Sequence, residues 1–344
     1  MPAPLTPQTQ QTLRDFLEEN RIGPDTQLEV VSHREGRAVV HTHHDGLDYT
    51  AKIFESGATV QSEEFQREHH FYIFLKPLQT GMTPLLLASS ESKQAILLTR
   101  IAGRGMRETE INRGAVDQAV RFLVAINEQR NSGLARTCTP AHGACQSITD
   151  HLSSISDLVT NVQQHLENVN PQTRAFIDDE LSPVWQKILA SILNQFQTAN
   201  LAIDADLKET ELVLSPGELG FHNTILTPQK DLCFVDFDQS GWDDPSRVIC
   251  QFFTRGPIPP KIEHWDHVIE TFSEIPQLDP FFAIRAKILL PAYQISRACQ
   301  PILRCLVEDA QSLTDSEAAS HSKTKLITVT NRSRQWLIKA NQAL

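Results

Sequence analysis

The chain has 344 residues, 40% hydrophobic and 21% charged, with a formal net charge of −11. These proportions describe an ordinary globular protein of about two domains at a prior of ~150 residues each. The acidic balance argues against bulk binding to nucleic acid or an anionic membrane and is compatible with cationic or neutral small molecules. No run approaches the ~18 apolar residues of a membrane-spanning helix. The N-terminus carries no apolar signal segment, so a cytoplasmic protein is expected. Six cysteines (Cys138, Cys145, Cys233, Cys250, Cys299, Cys305) lack CxxC spacing and are expected to be free thiols. Cys138, His142 and Cys145 lie close together but match no standard zinc pattern.

Taken in order, Thr6–Asn20 predicts a helix with Leu13, Phe16 and Leu17 on one face, ended by Gly23-Pro24. Three strands follow at Leu28–Ser32, Ala38–His43 and Leu47–Phe54, with turns at His33–Gly36 and Asp45-Gly46. Asp-Gly between alternating residues is a strong hairpin signal. The third strand carries Lys52 among Ala51, Ile53 and Phe54, where an unpaired charge is disfavoured. On its own, Lys52 reads equally well as solvent-facing. Ser62–Leu75 predicts a helix with a Ser-capped, acidic first turn, and Glu68 sits beside its apolar stripe. Glu68 is the favoured partner for Lys52, with Glu63 and Glu64 as alternatives.

Two further strands, Pro84–Ala88 and Gln94–Ile101, complete a five-stranded antiparallel sheet. Ala102–Gly105 reads as a hinge. Beyond it the pattern turns helical, at Asn112–Gln129, Ile148–Asn168 and Pro171–Ala199, with Ser182-Pro183 as a candidate restart of the last. Gly256–Pro260 breaks the chain. Helices are then expected at Lys261–Ser273, Pro280–Arg304 and Asp315–Leu344, with Pro291 and Pro301 kinking or interrupting the middle one.

Between these helical regions, Leu212–Pro245 concentrates the polar chemistry. Two short apolar runs, Thr224–Leu226 and Leu232–Phe237, read as a hairpin bordered by Glu218, Asn223, Asp236, Asp238, Asp243 and Asp244. Carboxylate and amide oxygens suit a hard cation such as Mg²⁺. Glu218 precedes Asn223 by five residues, and Asp236 follows Asn223 by thirteen. A protein-kinase catalytic loop has this order: an acid for the acceptor hydroxyl, a metal-binding Asn, then a metal-binding Asp after a hairpin.

SPGELGFHNTIL followed by FVDFDQSGWDDP resembles the catalytic loop and metal motif of the aminoglycoside phosphotransferase / choline kinase-like family. The likeness extends in order to Lys52, a helix with Glu68, and a hinge. It implies an α+β, protein-kinase-like fold with a nucleotide-binding lobe at 1–103 and a helical lobe at 104–344. It further implies ATP and Mg²⁺ as cofactors and a small-molecule hydroxyl as acceptor, with no nucleic-acid or membrane partner. By the resemblance Glu218 is the catalytic acid, Lys52 and its partner Glu68 serve the nucleotide phosphates, and Asn223, Asp236 and Asp238 serve the metal. Asp243 and Asp244 would fix the following loop and cap the next helix.

Two features depart from the family pattern. Glu218 stands where the family has Asp, and the turn HREGRAV holds a single glycine. The Glu motivates an alternative, a catalytically silent nucleotide-binding module. Asp236-Phe237-Asp238 also permits a DxD nucleotide-sugar glycosyltransferase, a reading that gives Lys52, Glu68 and Asn223 no role.

Overall fold

The computed structural model describes residues 3–23, 26–34, 36–55, 59–166, 169–311 and 316–343. In chain order the elements are α1 (Pro7–Glu19), β1 (Leu28–Arg34), β2 (Arg37–His44), β3 (Leu47–Phe54), α2 (Thr59–Leu75), β4 (Leu86–Ser90), β5 (Ala95–Thr99), β6 (Arg104–Gly105) and α3 (Arg113–Glu128). They continue with α4 (Ile148–Gln164), α5 (Pro171–Ala175), α6 (Ser182–Thr198), β7 (Val213–Ser215), β8 (Thr224–Leu226), β9 (Leu232–Phe234), β10 (Gly241–Asp243), α7 (Pro245–Thr254), α8 (Trp265–Phe272), α9 (Phe282–Gln311) and α10 (Ser316–Gln342). The chain divides into two compact units. One comprises 1–144, 213–243 and 256–276, and the other 145–212, 244–255 and 277–344. Gly103 and Arg104, where a lobe boundary is expected, both lie inside the first.

In the first unit, the strands order as β1-β2-β3-β5-β4, every pair antiparallel. Asp45 and Gly46 turn between β2 and β3 with φ of 50° and 78°, the left-handed pair that a two-residue hairpin needs. Strand alternation then assigns the faces. Val40, Ala51, Ile53, Ala95 and Leu97 point one way and pack with Leu13, Phe16 and Leu17 of α1. Thr6 caps α1, accepting from Thr9 N at 3.1 Å. Val39, His41, Thr50, Lys52 and Leu98 share the other face, which lines a cleft. Phe54, at the end of β3, meets Phe65 of α2 edge-on at 5.8 Å.

The second unit is helical. Phe176, Ile177, Leu181, Trp185, Ile188, Ile192 and Phe196 are buried along one stretch of it, and α9 packs against α4, α6, α7 and α10. All six cysteines are free and buried. Among the described residues, no helix is long and apolar enough to cross a membrane.

Several elements depart from the pattern-based expectation. Helix α2 starts at Thr59, three residues before the expected cap at Ser62. Strand β9 ends at Phe234, so Val235–Phe237 leaves the ladder. The hairpin acquires a third strand, because Arg104 and Gly105 pair with Leu226 and Ile225. Helix α6 does begin at Ser182-Pro183, with the proline in its first turn, but Ser182 is not its cap. The chain passes through a π-helical turn at Phe176–Leu181, Ser182 stays helical (φ −63°, ψ −48°), and its hydroxyl donates to Ile177 O at 2.7 Å. Pro183 has no N–H to give the preceding turn, and widening that turn relieves the ring's clash with a carbonyl. Helix α9 runs unbroken through Pro291 and Pro301, packing having overridden the propensity that predicted an interruption. Pro24, Glu35, Asn168, Asp315 and Leu344, which bound several expected elements, lie outside the described residues.

Asp244 ties the second unit together from a buried position. Its side chain caps α7, accepting from Ser246 N at 2.6 Å. It also accepts from Arg285 Nη2 at 3.1 Å, and Arg285 pairs in turn with Asp279. His151 Nε2 lies 3.0 Å from Asp244 Oδ2, and its Nδ1 lies 2.6 Å from the Tyr293 hydroxyl. Burial alone would lower the His151 pKa, but the bonds to Asp244 and Cys145 outweigh it and raise the imidazole to about 9. A folded-state value above the unfolded ~6.5 means that this contribution is complete below about pH 6.5 and is lost as pH rises through 9. Urea unfolding should therefore give a stability that falls between pH 6.5 and 9 by up to about 3 kcal/mol. In His151→Gln that slope should flatten, and stability should drop most at the acid end.

Candidate functional site

Lys52 is the centre of the cleft's charge. Its Nζ donates to Glu68 Oε1 at 2.7 Å and to Asp236 Oδ1 at 2.7 Å. The Lys52 side chain is 7% exposed, Glu68 0% and Asp236 31%. Strand β3 carries the lysine and α2 the glutamate, so the pair joins helix to sheet. Glu63, the exposed alternative, pairs with Arg67 one turn along its own helix. Burial opposes the Lys52 charge, but Asp236 and Glu68 outweigh it and raise the ammonium's pKa. Asp236 is likewise pushed up by burial and brought far lower by Lys52 and Arg37.

Asp236 reaches this position because the chain leaves β9. Its φ is 71°, a left-handed conformation uncommon outside glycine and best tolerated by Asn and Asp. Val235 N donates to Asn223 O at 3.0 Å, holding the two segments together. Phe237 is buried with its ring 4.9 Å from Phe71 and 5.2 Å from Tyr72, and its N–H donates to Glu68 Oε1 at 3.3 Å. Glu68 therefore anchors both Lys52 and the 236–237 backbone.

Arg37, at the start of β2, pairs closely with Asp238 and lies 3.3 Å from Asp236 Oδ1. One guanidinium thus spans both acids of the Asp-Phe-Asp stretch. Asp238 is buried in that pair.

Glu218 and Asn223 sit on the adjoining loop. Asn223 Nδ2 donates to the Glu218 carbonyl at 3.3 Å, leaving its side-chain oxygen for another partner. Glu218 Oε2 lies 3.6 Å from His222 Nε2. The imidazole fits a slot made by two glycines: a Cβ on Gly220 would meet the ring at 2.6 Å, and one on Gly256 at 2.3 Å. Gly256 also has a φ of 74°, which disfavours any side chain there.

Several of these residues, though not Glu218 or Asp238, line a cleft of about 790 Å³, within the range of small-molecule sites. Lys52, Asn223 and Asp236 line it together with Arg37, His222 and Ala102–Gly105. Glu68 stands behind Lys52. Asn223 and Asp236 offer on the cleft wall the hard oxygen donors that Mg²⁺ prefers, with room before them for the waters it retains, while Asp238 is held by Arg37. Among the described residues, no group of three or more His, Cys, Asp or Glu side chains is arranged to hold a metal by itself. A cation here would share its shell with a ligand, as in phosphate sites. The cleft also joins fixed cations to fixed carboxylates, an arrangement that can bind polyphosphate and screen its charge at once.

Sequence reasoning missed Arg37 and His222. Arg37 had a signal, since positions 37, 39 and 41 alternate onto the face that carries Lys52. His222 falls within SPGELGFHNTIL, but nothing local shows its slot, which depends on Gly256, remote in sequence.

The phosphotransferase enzyme family profile matches residues 27–247. No curated protein matches the sequence. Among solved structures, the chain is similar to spectinomycin phosphotransferase APH(9)-Ia in complex with ADP and spectinomycin. That likeness has a TM-score of 0.60 at 13% identity and covers 97% of this chain and 98% of that one. A choline/ethanolamine kinase family protein from Mesorhizobium loti gives 0.57 at 14% identity, over 97% and 98%. ADP-bound aminoglycoside phosphotransferase APH(2'')-Ib gives 0.54 at 12%, over 94% and 98%. At these identities the structural likeness establishes the α+β, kinase-like fold. With a profile match across well over half its length, the chain belongs to the phosphotransferase enzyme family.

Proposed function

We propose that this chain transfers the γ-phosphoryl group of ATP to a hydroxyl of a small polar molecule. The observation that carries the reading is Lys52, bridged between buried Glu68 and cleft-facing Asp236 on the wall of a nucleotide-sized cleft. In kinase-fold enzymes such a lysine holds the α/β-phosphates, and its glutamate keeps it extended. The hinge Ala102–Gly105 would carry the base, with 1–103 acting as the nucleotide lobe and 104–344 supplying the acceptor side.

Asn223 and Asp236 would hold Mg²⁺, with Asp238 joining them when released from Arg37. Bound there, the ion would neutralise charge on the β- and γ-phosphates. The acceptor oxygen attacks phosphorus, the bond to the β-phosphate oxygen breaks, ADP leaves, and the hydroxyl proton passes to Glu218. Phosphoryl transfer depends chiefly on positioning and charge, so the longer Glu218 has to be held in one rotamer. His222, itself confined by Gly220 and Gly256, stands 3.6 Å from that carboxylate and supports this role. The net charge of −11 is compatible with cationic or neutral acceptors.

A screen of polar metabolites with ATP and Mg²⁺, read as ADP release, tests the activity directly. Asp236→Asn should weaken MgADP binding about tenfold or more by calorimetry. Unchanged binding would remove Asp236 from the site.

Glu218→Asp withdraws the carboxylate by over ~1 Å, and turnover should fall by about 10²-fold with nucleotide affinity unchanged. A large gain in turnover would instead favour the second reading, a nucleotide-binding module whose catalytic acid has been damaged.

A further inference from the structure

One cation of the cleft, Arg37, has no task in the reaction as described so far. Arg37 lies on the same face of β2 as Val39 and His41, and all three line the cleft. Its guanidinium is only 21% exposed and is committed to Asp238 and Asp236. Those are two of the three residues whose oxygens would receive a divalent ion. A guanidinium and a metal ion drawn to the same carboxylates compete, because both are cations.

The formal charges sharpen this competition. Lys52 and Arg37 carry two positive charges among three acids, Glu68, Asp236 and Asp238. If Arg37 stayed, a divalent ion would leave an excess of one positive charge. If Arg37 departs, Lys52 and the ion together balance the three carboxylates. The two cations also differ in freedom. Lys52 is fixed by Glu68, whose side chain is fully buried. Arg37 begins its strand directly after Gly36, which has a φ of 77° and closes a turn with few glycines. A guanidinium freed at that point faces the cleft, and its planar fork matches phosphate oxygens in pairs.

We propose that Arg37 is a phosphate-binding residue of this site, held on Asp236 and Asp238 until a metal–nucleotide complex displaces it onto the phosphates. It would supply by side chain what a glycine-rich loop supplies by backbone amides. The inference rests on the reading of the cleft as an ATP site.

One substitution should therefore move two affinities in opposite directions. Removing the guanidinium as Arg37→Gln should tighten Mn²⁺ binding to the nucleotide-free protein, by about fivefold or more in a paramagnetic titration. The same variant should bind MgATP about tenfold more weakly by calorimetry, with a smaller loss for MgADP. Arg37→Lys keeps the charge without the fork, so its Mn²⁺ affinity should stay near wild type while MgATP binding falls. Arg34→Gln removes the same charge from an exposed residue on the cleft wall, and Mn²⁺ affinity should not rise.

If Arg37→Gln weakens both ligands together, or alters neither, the proposal is overturned; circular dichroism and melting temperature identify a folding defect, and Arg37→Lys then decides. If the wild-type chain binds no ATP while the Mn²⁺ effect persists, the nucleotide reading fails and the competition for the acids stands. If wild type binds MgATP and the opposite-sign pair is missing, only the role of Arg37 falls.

Discussion

A buried lysine shared by two carboxylates is the constraint on which the first unit depends. Taking these charges from water carries an effective penalty of several kcal/mol per ion. It is offset only when each charge finds its partners at close range, as Lys52 does with Glu68 and Asp236 at 2.7 Å each. Meeting that demand brings β3, α2 and the segment after β9 into register, because one partner comes from each. Removing any one member strands a charge, which is far more damaging than replacing the whole cluster with apolar side chains would be. Such an arrangement is a poor choice for stability alone. It makes sense where a cation must be held still at a cleft.

The backbone around the cluster shows the same priority. Asp236 adopts a left-handed φ, and its neighbour Phe237 is buried among aromatic rings. The ring acts as an anchor and the acid is turned outward from it. Apolar packing thereby sets the direction of a polar side chain one residue away. In the second unit the roles are reversed: Asp244 is enclosed by His151, Arg285 and a helix N-terminus, and every oxygen serves the architecture. The two acids are eight positions apart and do different work because only one faces the cleft.

Much of the fold was legible because its signals are local. Alternation in Ala38–His43 and Leu47–Phe54, joined by Asp45-Gly46, specifies a hairpin. The position of Glu68 beside an apolar stripe brings it toward Lys52. What escaped were features decided by tertiary packing. The unbroken α9 and the π turn before Pro183 override proline's local preference. The third strand beside the β8–β9 hairpin comes from Arg104-Gly105, a two-residue strand too short to leave a periodic pattern. Alternation could place Arg37 on the face of Lys52, but nothing local reveals its acids 199 and 201 positions away.

Gly256 reads at first as the opening of a chain break, with no bearing on chemistry. Yet its missing side chain leaves the volume into which His222 fits. The consequence is a dependence of one loop on another through empty space alone, with no bond for a contact inventory to register. Substitutions in the 256–260 break can therefore disturb the Glu218 loop from more than thirty residues away. A variant that disables the protein there would look, from its own neighbourhood, like a harmless change in a turn.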